Sequence, residues 1–116
     1  MTYNIHTGQS VDINTLTDRI LDWGREKGIL PSVVPYAQHT KTIEEVHELG
    51  AAIAAQDIEE IKDAIGDIYV TLVMQTQAWG LTMDECIESA YNTIAKRQGR
   101  MVDGIFVKDE VLSAPD

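Results

Sequence analysis

Two runs of carboxylates set the chemistry open to this chain. Residues 44–48 read Glu-Glu-Val-His-Glu, and residues 59–67 read Glu-Glu-Ile-Lys-Asp-Ala-Ile-Gly-Asp. On a helix, at about 100° per residue, Glu44, Glu45 and Glu48 share one side, because they stand three and four apart. Glu60, Asp63 and Asp67 do the same on the second run. Like charges at these spacings destabilise an isolated helix by a few tenths of a kcal/mol per pair. One such face is ordinarily solvated. Two of them, on consecutive helices expected to pack antiparallel, point to a compensating cation. Carboxylate oxygens are the ligands that hard divalent ions prefer, which makes magnesium the expected metal and manganese a substitute. Asp67 stands between Ile65 and Ile68 in the most hydrophobic stretch of the chain, where an unpaired charge would be costly to bury. Gly66 costs its helix roughly 1 kcal/mol relative to alanine, and is expected to mark a close helix crossing.

The elements that must hold these groups are helices. Ile13, Leu16, Ile20 and Trp23 form the apolar stripe of a first helix over about 13–27, capped by Asp12 or Asn14 and stopped by Gly28. Gly24 weakens the pattern in its last turn. Pro31 and Pro35 punctuate a loop, after which Ile43, Val46, Leu49 and Ile53 give a second helix over about 37–55 its apolar face. A third helix runs from about Asp57, its cap, to Trp79, with Gly80 as its stop. Its half from Ile65 to Met74 is apolar on nearly every side, and four short helices offer such an element limited cover. A fourth helix opens on a capping box, Thr82 and Glu85, and is expected to end near Gly99. Residues 104–108 alternate weakly and read as an extended segment. The expected fold is all-α, a four-helix bundle-like protomer assembling into a dimer or a dimer of dimers. Residues 1–116 form one domain on this reading, with 1–11 and 109–116 poorly ordered.

Composition narrows the function further. The formal net charge is −10 in 116 residues. Such a chain is repelled by nucleic-acid backbones and by anionic membranes, so neither is an expected partner. Cys86 is the sole cysteine, which excludes an internal disulfide and any thiolate metal site within one chain. The polar start of the chain lacks the apolar core of a signal peptide, and no stretch approaches the length of a membrane span. The expected location is the cytoplasm.

The two carboxylate segments resemble those of the MazG-like nucleoside triphosphate pyrophosphohydrolases, an all-α family. Its pattern is Glu-Glu-x-x-Glu on one helix and Glu-x-x-Asp on the next. Glu44, Glu45 and Glu48 match the first half in full. The second half departs. Aligning the Gly66-Asp67 pair with the end of the family motif places Ala64 where a glutamate belongs. Asp63, one turn before Asp67, supplies a carboxylate on the same side. Alternatively, Glu60-Ile-Lys-Asp63 matches the Glu-x-x-Asp spacing one turn upstream. The similarity extends from about Gln38 to Val107 and includes the run from Ala90 to Arg100.

This resemblance implies a magnesium-dependent hydrolase that cuts a nucleoside triphosphate between its α and β phosphates, yielding a nucleoside monophosphate and pyrophosphate. It implies Glu45, Glu48, Asp63 and Asp67 as metal ligands, with Glu60 as an alternative, and Glu44 as an acceptor for the proton of water. Asn92 matches a substrate-binding position of the family. The residues themselves add Lys96, Arg97 and Arg100, three of only nine Lys and Arg, clustered where they can clamp phosphate oxygens. Lys41, one turn before Glu45, is also within reach of phosphate. Trp23, Tyr36 and Trp79 are candidates for stacking on a base.

Three other readings compete. Glu44-Glu45-Val46-His47 contains Glu-x-x-His, but a di-iron bundle needs two such motifs, and neither His6 nor His39 has a glutamate three residues before it. Hydrolysis of phosphoribosyl-ATP is the neighbouring enzymatic alternative. A non-catalytic helical dimer that binds a partner is the third.

Overall fold

The computed structural model describes residues 2–4 and 9–109. The expectation for the chain ends falls mostly outside these residues. The chain divides into two compact units, Met1–Met83 and Asp84–Asp116.

The first unit opens with a short antiparallel ribbon, β1 (Thr2–Asn4) and β2 (Gln9–Val11), with Thr2 opposite Val11. Helix α1 (Ile13–Glu26) follows directly, and Asp12 caps it by accepting from the Thr15 amide at 2.8 Å. Gly28, at φ 78°, takes the left-handed conformation that ends it. Helix α2 (Pro35–Ala54) starts two residues before the expected position. Pro35 occupies its first turn, where a missing N–H costs nothing and the fixed φ suits a helix. Gln56, at φ 52°, makes the tight turn into α3 (Ile58–Gln77), which Asp57 caps through the Glu60 amide at 3.2 Å.

Helices α2 and α3 form an antiparallel hairpin tied by polar bonds as well as by packing. The Gln38 amide nitrogen donates to the Thr71 carbonyl at 3.1 Å, and the Thr42 hydroxyl donates to the Thr71 hydroxyl at 2.9 Å. Gln75 reaches back to the Pro35 carbonyl at 3.0 Å. Helix α1 packs on α3, where Thr17 and Tyr69 share a hydroxyl–hydroxyl bond of 2.7 Å. Val73 and Met74, 1% and 2% exposed, are the centre of this unit, with Leu30, Ala52, Ala64 and Met83 around them. Gly24 explains its own presence in α1. A Cβ there would lie 2.8 Å from the Met74 sulfur, so glycine is what lets Met74 fill the space beneath the helix.

One expectation is corrected. Nothing lies within 4 Å of where a Gly66 side chain would begin, so Gly66 marks no close crossing within this unit. The limited cover expected for the apolar stretch of α3 is what one protomer shows: Ile65 is 56% exposed. Ile43, Val46 and Ile53 on α2, and Ile58, Ile65 and Leu72 on α3, remain largely open to solvent. The physical reason is geometric. A helix in a hairpin packed on a third helix covers about half of its circumference, and the heptad positions 58, 65 and 72 face away.

Helix α4 (Met83–Ile94) starts at the last residue of the first unit, and the second unit contains the rest of it and a β-hairpin, β3 (Gly99–Val102) paired with β4 (Ile105–Lys108). Helix α4 therefore ends five residues before the expected stop. Asp103 and Gly104 both have positive φ, 50° and 79°, which is the two-residue turn that matches strand twist. The segment expected to be extended is thus the second arm of a hairpin, and the fold is mostly helical with two small antiparallel ribbons among the described residues. No helix among these residues is long and apolar enough to cross a membrane.

Candidate metal and nucleotide site

Helix α2 turns Gln38, Lys41, Thr42, Glu45 and Ala52 toward α3, at the spacings of three, four and seven that define one helix face. Helix α3 answers with Ala64, Asp67, Thr71 and Met74. Because the helices are antiparallel and pinned at Thr42–Thr71, Glu45 comes opposite Asp67. One carboxylate oxygen each from Glu45, Glu48 and Asp67 lie within 4.8 Å of one another. The Glu45 Oε2 is buried and has no hydrogen-bond partner among the described residues. A buried oxygen of this kind is costly unless something electropositive meets it.

The electrostatics are those of a crowded anionic site. Glu45 is pushed above the ordinary carboxyl range, first by its hydrogen-bonding contact with Glu48, then by burial and by the charges of Glu48, Asp67 and Glu44. Asp67 is raised chiefly by burial, then by the charges of Asp63 and Glu48 and a hydrogen-bonding contact with Asp63. Each carboxylate therefore holds its proton more tightly than a free side chain, and a divalent cation would displace that proton. Three oxygen donors in this spacing suit a hard ion that keeps several waters.

The cluster does not stand alone. Glu45 and Asp67 line one end of a 360 Å³ cavity whose other walls are Trp23 and Ile29, Gln38 and Lys41, and Val70, Thr71 and Met74. The Lys41 ammonium pairs with Glu44 at 3.1 Å. Tyr36 and Trp79 line a different cavity, with His39 and Gln75, at the open end of the α2–α3 hairpin. Of the three aromatic residues read as stacking candidates, only Trp23 lines the cavity that holds the carboxylates.

The site residues read from sequence are thus sorted. Glu45, Glu48 and Asp67 converge. Asp63 adjoins Asp67 without joining the oxygen cluster, and Ala64, on the buried face beside Asp67, contributes no ligand. Glu60 is exposed in the first turn of α3, outside the cluster. Glu44 is exposed beside Glu45. In the second unit, Lys96 and Arg97 line a 510 Å³ cleft with Thr93, Gln98, Lys108 and Asp109. Asn92 is exposed on α4, and Arg100 is exposed on β3 opposite Val107. Sequence reasoning did not single out Gln38 or Thr71. Their signal was available: Gln38 lies one turn before Thr42 and two before Glu45 on the same face.

Comparison with known proteins agrees with this geometry. A protein of Haemophilus phage HP1 (strain HP1c1), described as an uncharacterized 18.2 kDa protein in the rep-hol intergenic region, is 32% identical over 63 residues. The matched region covers 54% of this chain and 39% of the phage protein, so the chain spans well under half of that relative's length. No solved structure matches. Residues 36–102, which carry all three converging carboxylates and the Lys96–Arg97 pair, match the MazG nucleotide pyrophosphohydrolase domain. The carboxylate hairpin and this match agree on one assignment: the chain belongs to the MazG nucleotide pyrophosphohydrolase family.

Proposed function

We propose that this chain is a magnesium-dependent pyrophosphohydrolase that cleaves a ribo- or deoxyribonucleoside triphosphate between its α and β phosphates, releasing the monophosphate and pyrophosphate. The observation that carries this reading is the unpartnered Glu45 Oε2, set in a three-carboxylate cluster at one end of a cavity. The donor set fits a hard cation. Glu45, Glu48 and Asp67 hold magnesium, or manganese in its place, and Asp63 orients Asp67 from the adjoining turn. Bound metal supplies neutralisation of phosphate charge and a lowered pKa for water.

The remaining chemistry belongs to side chains. Glu44 accepts the proton of the attacking water as an oxygen–phosphorus bond forms and the α–β anhydride bond breaks. For this, Lys41 must leave Glu44, and a phosphate oxygen is the natural new partner for its ammonium. Pyrophosphate departs with the electron pair of the broken bond. In the second unit, Asn92, Lys96, Arg97 and Arg100 form the anion-binding set, the arginines offering paired N–H donors to phosphate oxygens.

A homodimer or homotetramer is part of the same reading. The open apolar stripe of Ile43, Val46, Ile53, Ile58, Ile65 and Leu72 is larger than a monomer needs, and covering it accounts for its composition. The role that fits is nucleotide-pool house-cleaning in the cytoplasm. Phosphoribosyl-ATP is the less favoured substrate, because 360 Å³ stands at the low end for small-molecule sites and suits a single nucleoside. The deciding experiment is pyrophosphate detection with magnesium over a panel of nucleoside triphosphates and phosphoribosyl-ATP. Release from at least one triphosphate is expected, and full activity in both Glu48→Gln and Asp67→Asn would overturn the assigned site.

A further inference from the structure

We propose that Tyr69 is a positioning residue for nucleotide binding: its hydroxyl holds α1 in register on α3 and so keeps Trp23 in the wall of the carboxylate cavity, although Tyr69 itself lines no part of that cavity. This rests on the nucleotide reading above and adds a residue to it.

The cavity has two parts of different origin. Its metal end, with Glu45 and Asp67, and the wall formed by Val70, Thr71 and Met74 come from the α2–α3 hairpin, which the bonds of Gln38 and Thr42 to Thr71 hold together. Its remaining wall is Trp23, from the last turn of α1, and Ile29, from the turn after it. The metal site can therefore form without α1. A nucleoside reaching away from the carboxylates meets a side chain that α1 must deliver. The Trp23 indole offers a base more apolar area than any other residue lining the cavity.

What fixes α1 is a pair of contacts on one of its faces. Thr17 and Gly24, seven residues apart, share that face. Gly24 lies against the Met74 side chain, and Leu16 and Ile20 are half-buried. Apolar contacts of this kind are non-directional and leave a helix free to slide or roll by small amounts. The Thr17–Tyr69 bond, at 2.7 Å, is directional. Its polarity follows from its neighbour: the one hydroxyl hydrogen of Thr17 goes to the Ile13 carbonyl at 2.7 Å, so Tyr69 donates and Thr17 accepts. Among the described residues it is the one side-chain hydrogen bond between α1 and α3. Trp23 stands six residues from Thr17, about 9 Å along the helix, and next to Gly24. With Gly24 as the second fixed point, the bond sets both the slide and the roll of α1, and the indole moves with either.

The test uses the full chain with magnesium, well below the Tm of every variant. Calorimetry measures magnesium affinity, then the affinity of each of the four deoxynucleoside monophosphates in saturating magnesium. Pyrophosphate release from the corresponding triphosphates gives KM and kcat. Tyr69→Phe and Thr17→Val each remove the bond. Each is expected to weaken the tightest monophosphate and raise KM for its triphosphate by about 3- to 10-fold, the range that one hydrogen bond spans. Neither changes kcat or magnesium affinity by more than about 2-fold, because the carboxylates belong to the hairpin. Combining the two costs no more than either alone, and Thr17→Ser, which keeps a hydroxyl in place, retains affinity. In a Trp23→Ala background Tyr69→Phe has no further effect, which separates the placing of Trp23 from a general loss of stability. Should Tyr69→Phe fail to fold, Thr17→Val breaks the same bond from the other helix and decides in its place. Unchanged nucleotide affinity in both variants overturns the proposal. So does a loss that is as large for magnesium, or one that persists undiminished without Trp23. The expected pattern of monophosphate binding with no pyrophosphate released sustains the role of Tyr69 and removes the proposed reaction instead.

Discussion

The carboxylate of Glu45 on α2 faces that of Asp67 on α3, and with Glu48 their oxygens gather within 4.8 Å of one another. Charge repulsion is therefore stored in the hairpin, and its release should be measurable. Asp67→Asn is expected to raise the stability of the metal-free protein by about 0.5 kcal/mol, roughly 2–4 °C in Tm. The same change should lower magnesium affinity and turnover by more than about 100-fold, beyond what loss of an outer-shell partner costs. Calorimetry with and without magnesium checks both arms; a loss of stability in the metal-free protein would contradict the repulsion.

The same pair sets the pH dependence. Glu45 and Asp67 are both raised in the folded state, so the native protein binds more protons than the unfolded chain between the ordinary carboxyl range and the raised values. Without metal, their contribution should grow more favourable as pH falls through that window. Asp12, held below the ordinary range chiefly by the Thr15 amide, acts in the opposite sense, its contribution fading as pH falls through its lowered value. Magnesium reverses the carboxylate trend because protons compete for its ligands. At 100 times its Kd the ion adds about 2.7 kcal/mol at neutral pH, an increment that shrinks on acidification. Thermal melts across pH 4–8, in chelator and in magnesium, would reveal a crossing of the two curves.

Asp63 and Glu60 are alternatives for one role, and they stand differently toward the cluster. Asp63 touches Asp67 electrostatically and by hydrogen-bonding contact, whereas Glu60 lies outside the cluster. Asp63→Asn should weaken magnesium binding about 10- to 100-fold, as outer-shell partners typically do. Glu60→Gln should change it less than about 2-fold. Titration calorimetry distinguishes them, and a large effect at Glu60 with none at Asp63 would restore the upstream register.

The hairpin and much of its site were legible in the sequence because they depend on local rules. Asp12 and Asp57 cap helices where their chemistry says they should, Gly28 and Gly80 end them, and spacing alone puts Glu45 and Glu48 on one side. Less legible was anything set by a distant partner. Gly24 reads as a flaw in α1 until Met74 appears beneath it. Gln38 reads as a solvated polar residue until the Thr71 carbonyl fixes its amide. The C-terminal hairpin is a different miss. Asp103-Gly104 is a strong turn signal, but β3 beside it has no alternation to announce a strand, and helical propensity through Lys96 and Arg97 carried the expected helix too far.

Met74 is the mechanical centre of the first unit, 2% exposed and lining the cavity behind the carboxylates. Met74→Ala should cost about 2–5 kcal/mol in unfolding free energy and leave a void under Gly24. Chemical denaturation gives the magnitude. A loss under 1 kcal/mol would mean that the cavity collapses or that α1 is loosely held.

Oligomerisation offers a fifth test. Ile65→Glu, on the open face of α3, should leave the protomer folded and shift its sedimentation from assembled to monomeric. An unaltered monomer before and after the change would remove the dimer from the functional reading.

The tight turn at Gln56 has a consequence for how the site comes into being. It joins the two ligand-bearing helices directly, so every carboxylate of the cluster lies within one short stretch of chain and the loop that must close to unite them is small. The contact order of the site is low, and its assembly need not wait for the rest of the chain. A divalent ion present during synthesis would find its ligands as soon as the hairpin emerges, and could act as a nucleus for the fold that later uses it.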